Sequence, residues 1–230
     1  MPQAHALAST SHPKYKLLAG LPQQDQELML GAAREQSFPA GSVITTQGNP
    51  ADRLYLLRSG CVRFFYTVPD GRKFALLLVA PGEAFGGFAI LPAYGEYLMS
   101  CETMKDSKVL SWDRATLHRF ANKYPKILHN ALTIAGEYVT WYLTAHIALG
   151  THTARERLAA VLLDLARAIG VSTPSGVEIE VTNEDLANAA NITPYTTSRL
   201  MSQWHKSRVI VKGRAKILLR SPERLAARLA

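Results

Sequence analysis

"TNEDLANAANITPYTTSRLM" (residues 182–201) holds two short helical patterns separated by a few residues, and the second is crowded with hydroxyls followed by an arginine. Thr182 is suited to cap "NEDLANAA", where Glu184 and Asp185 then occupy a first turn that favours acids. Asn191 follows as a residue that tolerates left-handed backbone. Thr193-Pro194 restarts the chain as a cap plus first-turn proline, and "YTTSRLMSQWHKS" continues as a second helix. Leu186, Ala187 and Ala190, with Ile192, Leu200 and Trp204, supply small and apolar residues for packing the two helices together. The spacing predicts a helix-turn-helix, with Tyr195 to Arg199 on one exposed turn.

In such a unit the second helix enters the major groove of DNA with its N-terminal part. The outward positions are Tyr195, Thr196, Ser198, Arg199, Ser202 and Lys206. Arg199 suits a bidentate contact to guanine, and the hydroxyls suit bases, phosphates or bridging waters. The capping residues Thr182 and Thr193 border the same face. Beyond it, "RVIVKGRAKILLRS" reads as two short strands about Lys212-Gly213-Arg214, a wing whose Lys212 and Arg214 would follow the phosphate backbone. A plain hairpin closing the domain gives the same pattern.

Charge supports this reading through its location. The chain of 230 residues has a formal charge of +8, and residues 194–230 carry nine Lys and Arg against Glu223 alone, which leaves the preceding residues neutral overall. Clustered bases on a neutral body are the footprint of nucleic-acid binding, because they neutralise phosphates and release counterions. A basic solvated tail is the plainer alternative.

The remaining composition, 47% hydrophobic, is that of an ordinary globular protein. No apolar run reaches the roughly 18 residues a membrane helix needs, and "MPQAHALASTSHPKYK" lacks a secretory pattern, so a cytoplasmic location without a membrane partner is expected. Cys61 and Cys101 have no CxxC spacing, which argues against a disulfide scaffold, a cysteine-rich zinc site or a four-cysteine iron–sulfur cluster.

Upstream, residues 1–20 read as a loose arm and "LPQQDQELMLGAARE" (21–35) as a helix offering Leu28, Leu30 and Ala33 for burial. From 36 to about 112, stretches such as "SVITTQ", "RLYLLRSG", "CVRFFYTV", "KFALLLVA" and "KVLSW" alternate with turn residues, predicting about eight short strands in a barrel, jelly roll or sandwich. "VPDGRK" reads as a hairpin. A long helix spans Tyr124 to Leu149. Ile127, Ala131, Ile134, Tyr138, Trp141 and Ala145 recur in a four-three rhythm, the seam of a parallel homodimer or else a core face. "GTHTA" (150–154) is a hinge, with Thr153 capping "ARERLAAVLLDLARAIG". "VSTPSG" reads as a loop and "VEIEV" as a strand.

The expected fold is therefore α+β. It comprises an arm (1–20), a jelly-roll-like β-roll effector domain (21–122), a dimerisation helix (123–150) and a winged helix-turn-helix (151–230).

This order of parts resembles the CRP/FNR superfamily of bacterial transcription regulators over nearly the whole chain. The resemblance is carried by "FPAGSVITTQGNPADRLYLLRSGCVRFF", "APGEAFGG", "RERLAAVLLDLA" and "VTNEDLANAANITPYTTSRLM". It implies a cytoplasmic homodimer that binds a two-fold-related site on double-stranded DNA and contacts RNA polymerase. Cyclic-nucleotide binders of the family carry Gly-Glu after the Phe of the roll and an Arg-Ser or Arg-Thr pair about ten residues later. Here the first pair is Gly86-Gly87 and by spacing the second falls near Tyr97-Leu98, so cAMP is not the expected effector. The oxygen-sensing branch needs four cysteines and this chain has two. Where family members often carry Arg or Glu on the reading helix, this chain has Pro194 and Tyr195, which implies a variant half-site.

Three readings of the effector remain, with the cofactor unknown. A neutral or hydrophobic ligand could bind near Phe85, Gly86, Gly87, Phe88, Tyr97, Leu98, Met99 and Tyr138. A haem is a weaker alternative, with His5, His12, His118, His129 or His146 as ligands. The third is control by abundance or by redox chemistry at Cys61 or Cys101. An enzyme with a metal-bearing barrel would need histidines in the strands, and residues 36–112 contain none; no metal site or catalytic activity is expected. A non-DNA interaction module is the other rival.

Overall fold

The computed structural model describes residues 15–71, 73–91, 95–213 and 216–226. The chain divides near Thr140 into two compact units.

The first unit is a roll. After a 3-10 turn at Lys16–Leu18 come α1 (Gln23–Gly31), β1 (Arg34–Phe38), β2 (Val43–Thr45), β3 (Arg53–Thr67), β4 (Lys73–Val79), β5 (Ala84–Phe85), β6 (Ser100–Asp113), α2 (Arg114–Lys123) and α3 (Pro125–Thr151). The sheet runs β1-β6-β3-β4, with β2 on β6 and β5 on β3. Two strands dominate it: β3 and β6 pair antiparallel from Arg53↔Asp113 to Phe65↔Ser100.

Because strand side chains alternate, β3 serves two cores. Leu54 and Leu56 enter a cluster with Leu17, Leu18, Met29, Trp112, Leu117, Ile127 and Ile134. Tyr55, Leu57, Val62 and Phe64 enter a second with Phe85, Tyr97, Cys101 and Val109.

Several expectations change here. Six strands occur in the roll among the described residues, not about eight, in part because the "SG" at residues 59–60 is a bulge inside β3 and not a turn between strands. Gly60 has φ +104°, and a Cβ there would lie 2.1 Å from Ser107 Oγ. The hairpin at Val68–Gly71 forms as expected, the Gly71 N–H donating to Val68 O at 2.8 Å. Helix α1 is shorter than expected, since Arg34 and Glu35 belong to β1, and it buries Met29 while Leu28 stays exposed. The described end of the arm is core: Leu17 and Leu18 are fully buried, and Asn130 of α3 donates to Leu17 O and Ala19 O at 2.9 and 2.8 Å.

The second unit begins within α3 and continues through α4 (Ala154–Ile169), β7 (Val171–Thr173), β8 (Gly176–Glu180), α5 (Asn183–Ala190), α6 (Pro194–Lys206), β9 (Ile210–Lys212), β10 (Lys216–Leu219) and α7 (Pro222–Ala226). Its sheet order is β7-β8-β10-β9. The stretch read as a loop after α4 thus contains a strand, and the wing hairpin is sewn to β8 by the register Lys216↔Glu180 to Leu219↔Val177. Thr153 caps α4 in a capping box with Glu156.

Candidate nucleic-acid interface

The helix pair forms through local chemistry. The Thr182 hydroxyl accepts from the Asp185 N–H while Asp185 reaches back to the Thr182 N–H, a reciprocal cap on α5. Asn191 ends that helix at φ 48°, ψ 56°, and its neighbour Ile192 donates to Ala187 O at 3.0 Å. Thr193 caps α6 by accepting from the Thr196 N–H at 3.1 Å, with Pro194 in the first turn. Leu186, Ala187, Ala190, Leu200, Met201 and Trp204 are buried between the elements, and Ile192 is half-buried.

These caps fix which side of α6 faces out. Tyr195 is 78% exposed, Arg199 and Lys206 are exposed, and Thr196, Ser198 and Ser202 are half-exposed. Thr197 turns inward instead and donates to Thr193 O at 3.2 Å. The hydroxyls of Thr182, Thr193 and Thr196 are engaged in capping, Thr196 Oγ1 lying 3.0 Å from Thr193 Oγ1. Tyr195, Ser198, Arg199, Ser202 and Lys206 therefore form the face whose donors carry no internal duty.

Behind this face, Arg155 of α4 donates to Gln203 Oε1 and lies over the Trp204 ring, 5.9 Å from its centroid. A cavity of about 370 Å³ opens between the start of α4 and α6, lined by Thr153, Arg155, Arg199 and Gln203. Arg155 and Gln203 were missed by sequence reasoning, although Gln203 stands one helical turn after Arg199. In the wing, Lys212 is half-exposed, and Lys216 is held by Glu178 and Glu180 at 2.8 and 3.1 Å. Arg214 lies outside the described residues.

The long helix carries two stripes. Ile127 and Ile134 are buried, and Ala131 and Tyr138 half-buried, against the roll of the same chain. These four were read as dimer seam; they pack instead as the inner face on the roll of the same chain, and Trp141 and Ala145 continue the line half-buried. One residue further round, Leu128, Leu132, Ala135, Val139, Tyr142, His146 and Leu149 are all exposed. They too follow a four-three rhythm.

The expected effector residues separate into a packed set and an outer set. Phe85 stacks on Tyr55 with centroids 5.1 Å apart and meets the edge of Phe64 at 6.0 Å. Phe64 in turn meets Tyr138 edge-on at 6.3 Å, and the Tyr138 hydroxyl donates to Ala84 O at 2.8 Å. Gly86 is left-handed at φ +78°, where a Cβ would lie 2.7 Å from Arg53 O. The Tyr97 hydroxyl donates to Arg53 O at 2.9 Å and accepts from Arg53 N at 3.1 Å; burial pushes its ionisation upward. Gly87, Phe88 and Leu98 are exposed instead, and Met99 is half-buried.

The redox reading finds no support in the thiols. Cys61 and Cys101 are fully buried, and burial raises both, Cys61 to about 11, so neither is a thiolate at neutral pH. His118 is half-exposed on α2, and His129 and His146 are exposed on α3; none belongs to the aromatic cluster, and His5 and His12 lie outside the described residues. Among the described residues no group of three His, Cys, Asp or Glu could hold a metal, and no helix is long and apolar enough to cross a membrane.

Comparison with known proteins agrees with this architecture. Residues 35–124 match the family described as cyclic nucleotide-binding domain, and residues 156–228 the Crp-like helix-turn-helix domain. A CRP-like cAMP-activated global transcriptional regulator of Mycobacterium tuberculosis is 26% identical over 194 residues, covering 83% of this chain and 86% of the relative. The cyclic AMP receptor protein of Thermus thermophilus is 28% identical over 197 residues, covering 86% and 88%. The solved structure of FixK2 from Bradyrhizobium japonicum superposes with a TM-score of 0.73 at 24% identity, over 85% of this chain and 96% of that one, a likeness of fold.

Proposed function

The chain belongs to the CRP/FNR superfamily of transcription regulators, and from that premise we propose that it works as a cytoplasmic homodimer reading a two-fold-related DNA site under an effector other than cAMP. The observation that carries the reading is the outward face of α6, where the side chains of Tyr195, Ser198, Arg199, Ser202 and Lys206 make no hydrogen bond or ion pair among the described residues. Arg199 contacts a guanine, the hydroxyls contact bases or phosphates, and Lys206, Lys212 and Arg214 track the backbone.

The dimer forms along Leu128, Leu132, Ala135, Val139, Tyr142, His146 and Leu149, a largely apolar line exposed along the helix, the kind of surface that marks a protein–protein interface. Engaging both half-sites requires the α6 pair to sit about 34 Å apart, one turn of DNA. The domain limits are those read from the sequence, with the joint narrowed to His152 and Thr153 because α3 runs through Thr151. RNA polymerase is the further partner that the family supplies.

Two features argue against cAMP, the effector named for the relatives above. Tyr97 stands where the family's phosphate-binding arginine belongs, and its ring is buried with the hydroxyl committed to Arg53. An effector acts here by population shift, favouring one packing of the roll on the long helix.

The test is selection from random duplexes by the purified, effector-free protein at two salt concentrations. Enrichment of an inverted repeat supports the reading. Affinity that only fades with salt and enriches no sequence contradicts it.

A further inference from the structure

Arg157 lies in the first turn of α4, and its guanidinium meets three backbone carbonyls and no carboxylate among the described residues. Nη1 donates to His152 O at 2.8 Å, Nε to Ala190 O at 3.0 Å and Nη2 to Asn191 O at 3.2 Å. These acceptors come from two places in the fold. His152 follows the last residue of α3, and its N–H donates to Ala148 O at 2.9 Å, so it closes the long helix. Ala190 is the last residue of α5, and Asn191 is the left-handed corner from which the chain turns into α6 three residues later. Both helix ends present carbonyls without intrahelical partners, and both carry the negative end of a helix dipole. One permanently charged, planar fork satisfies them together.

We propose that Arg157 is a positioning residue that joins the hinge end of α3, the first turn of α4 and the helix-turn-helix corner into one rigid piece. A rotation arriving along the long helix then reaches the recognition helix without being absorbed at residues 151–153. Arg155 completes the linkage from the same turn, through Gln203 and the Trp204 ring. The two arginines flank Glu156, whose own role is the α4 cap. Lysine cannot replace the fork, because an ammonium is a point charge that cannot hold three carbonyls in one plane.

The inference rests on the DNA-reading function, and its consequence is a spacing rule. A stiff joint makes the dimer intolerant of half-sites moved by one or two base pairs, whereas a loosened joint lets each reader find its half-site separately. The experiment uses the full-length protein with its selected duplex, versions of that duplex with altered spacing, and a single half-site. Wild type is compared with Arg157→Gln and Arg157→Lys, with hydrogen exchange followed at the amides of Asn191 and Ile192.

Wild type should prefer its native spacing by about tenfold. Both variants should keep half-site binding, lose most of that preference and exchange the corner amides faster. Full spacing preference in Arg157→Lys would overturn the role of the fork. Loss of half-site binding in step with spacing would assign Arg157 to folding alone. If wild type enriches no two-fold site, the functional reading falls first and this inference with it.

Discussion

The roll and the reader treat polar groups in opposite ways. In the roll, hydroxyls are turned inward and used: Tyr97 on Arg53, Tyr138 on Ala84, Thr103 on Pro39 O at 2.6 Å and Ser107 on Lys105 O at 2.7 Å. In the reader, the side chains of Tyr195, Ser198, Arg199, Ser202 and Lys206 point outward and are left without internal partners, while caps and small residues do the structural work from behind. The difference separates a region held by long-range packing from one held by local chemistry that leaves its donors for another molecule. The long helix shows both habits on adjacent stripes.

The largest expected effect lies on the inner stripe. Ile127→Ala removes a fully buried side chain from the cluster beneath α3, and should cost about 2–5 kcal/mol of stability in chemical denaturation. It should not move the monomer–dimer equilibrium of the folded fraction; if it did, the inner stripe would not be purely internal.

On the outer stripe the ranking reverses. Leu132→Glu alters an exposed residue and should leave unfolding of the roll nearly unchanged. In the dimer the same carboxylate is desolvated, which should weaken association about 100-fold in sedimentation. An unaltered dimer would place the interface elsewhere.

Smaller effects probe the reader. Arg208, just after α6, holds φ +58° without being glycine. Arg208→Gly should relieve about 1 kcal/mol of left-handed strain, seen as a higher melting temperature, with only the loss of one exposed positive charge to weaken DNA binding.

The smallest effect depends on pH. Burial raises the Asp164 carboxyl of α4 to about 6, with Arg167 opposing. A carboxyl whose folded value exceeds its unfolded value of about 3.9 binds its proton more tightly when folded, so its stabilising share is full below that value and is lost as pH rises through about 6. Asp164→Asn should therefore melt a few degrees above wild type at about pH 7.5 and together with it near pH 4. Equal melting at both would show that the carboxyl is solvated.

Legibility followed the same divide. The caps Thr182, Thr153 and Thr193, the first-turn Pro194 and the left-handed Asn191 are decided within a few residues, and the sequence pattern locates each where the structure has it. The bulge at Gly60 depends on Ser107, far along the chain, and no local signal separates it from a turn. The same holds for the long helix: periodicity offers two stripes one residue apart, and only the roll's position decides which is inner. Most of the effector residues are close in sequence, but Phe85 ends β5 inside the core while Phe88 sits in the 3-10 turn Gly87–Ile90 that follows it, and Phe88 and Leu98 remain exposed. Arg157 escaped notice because its partners are backbone carbonyls, which leave no trace in residue types.

The most direct test of the account is base discrimination by Arg199. Wild type and Arg199→Ala would be measured against every single-base variant of the selected site. A base contact predicts that the variant loses about 1–3 kcal/mol of discrimination at one position in each half-site and retains it at the others. A uniform loss across all sequences, accompanied by a shallower salt dependence, would make Arg199 a phosphate contact and contradict the assignment of the outward face of α6 as the reader.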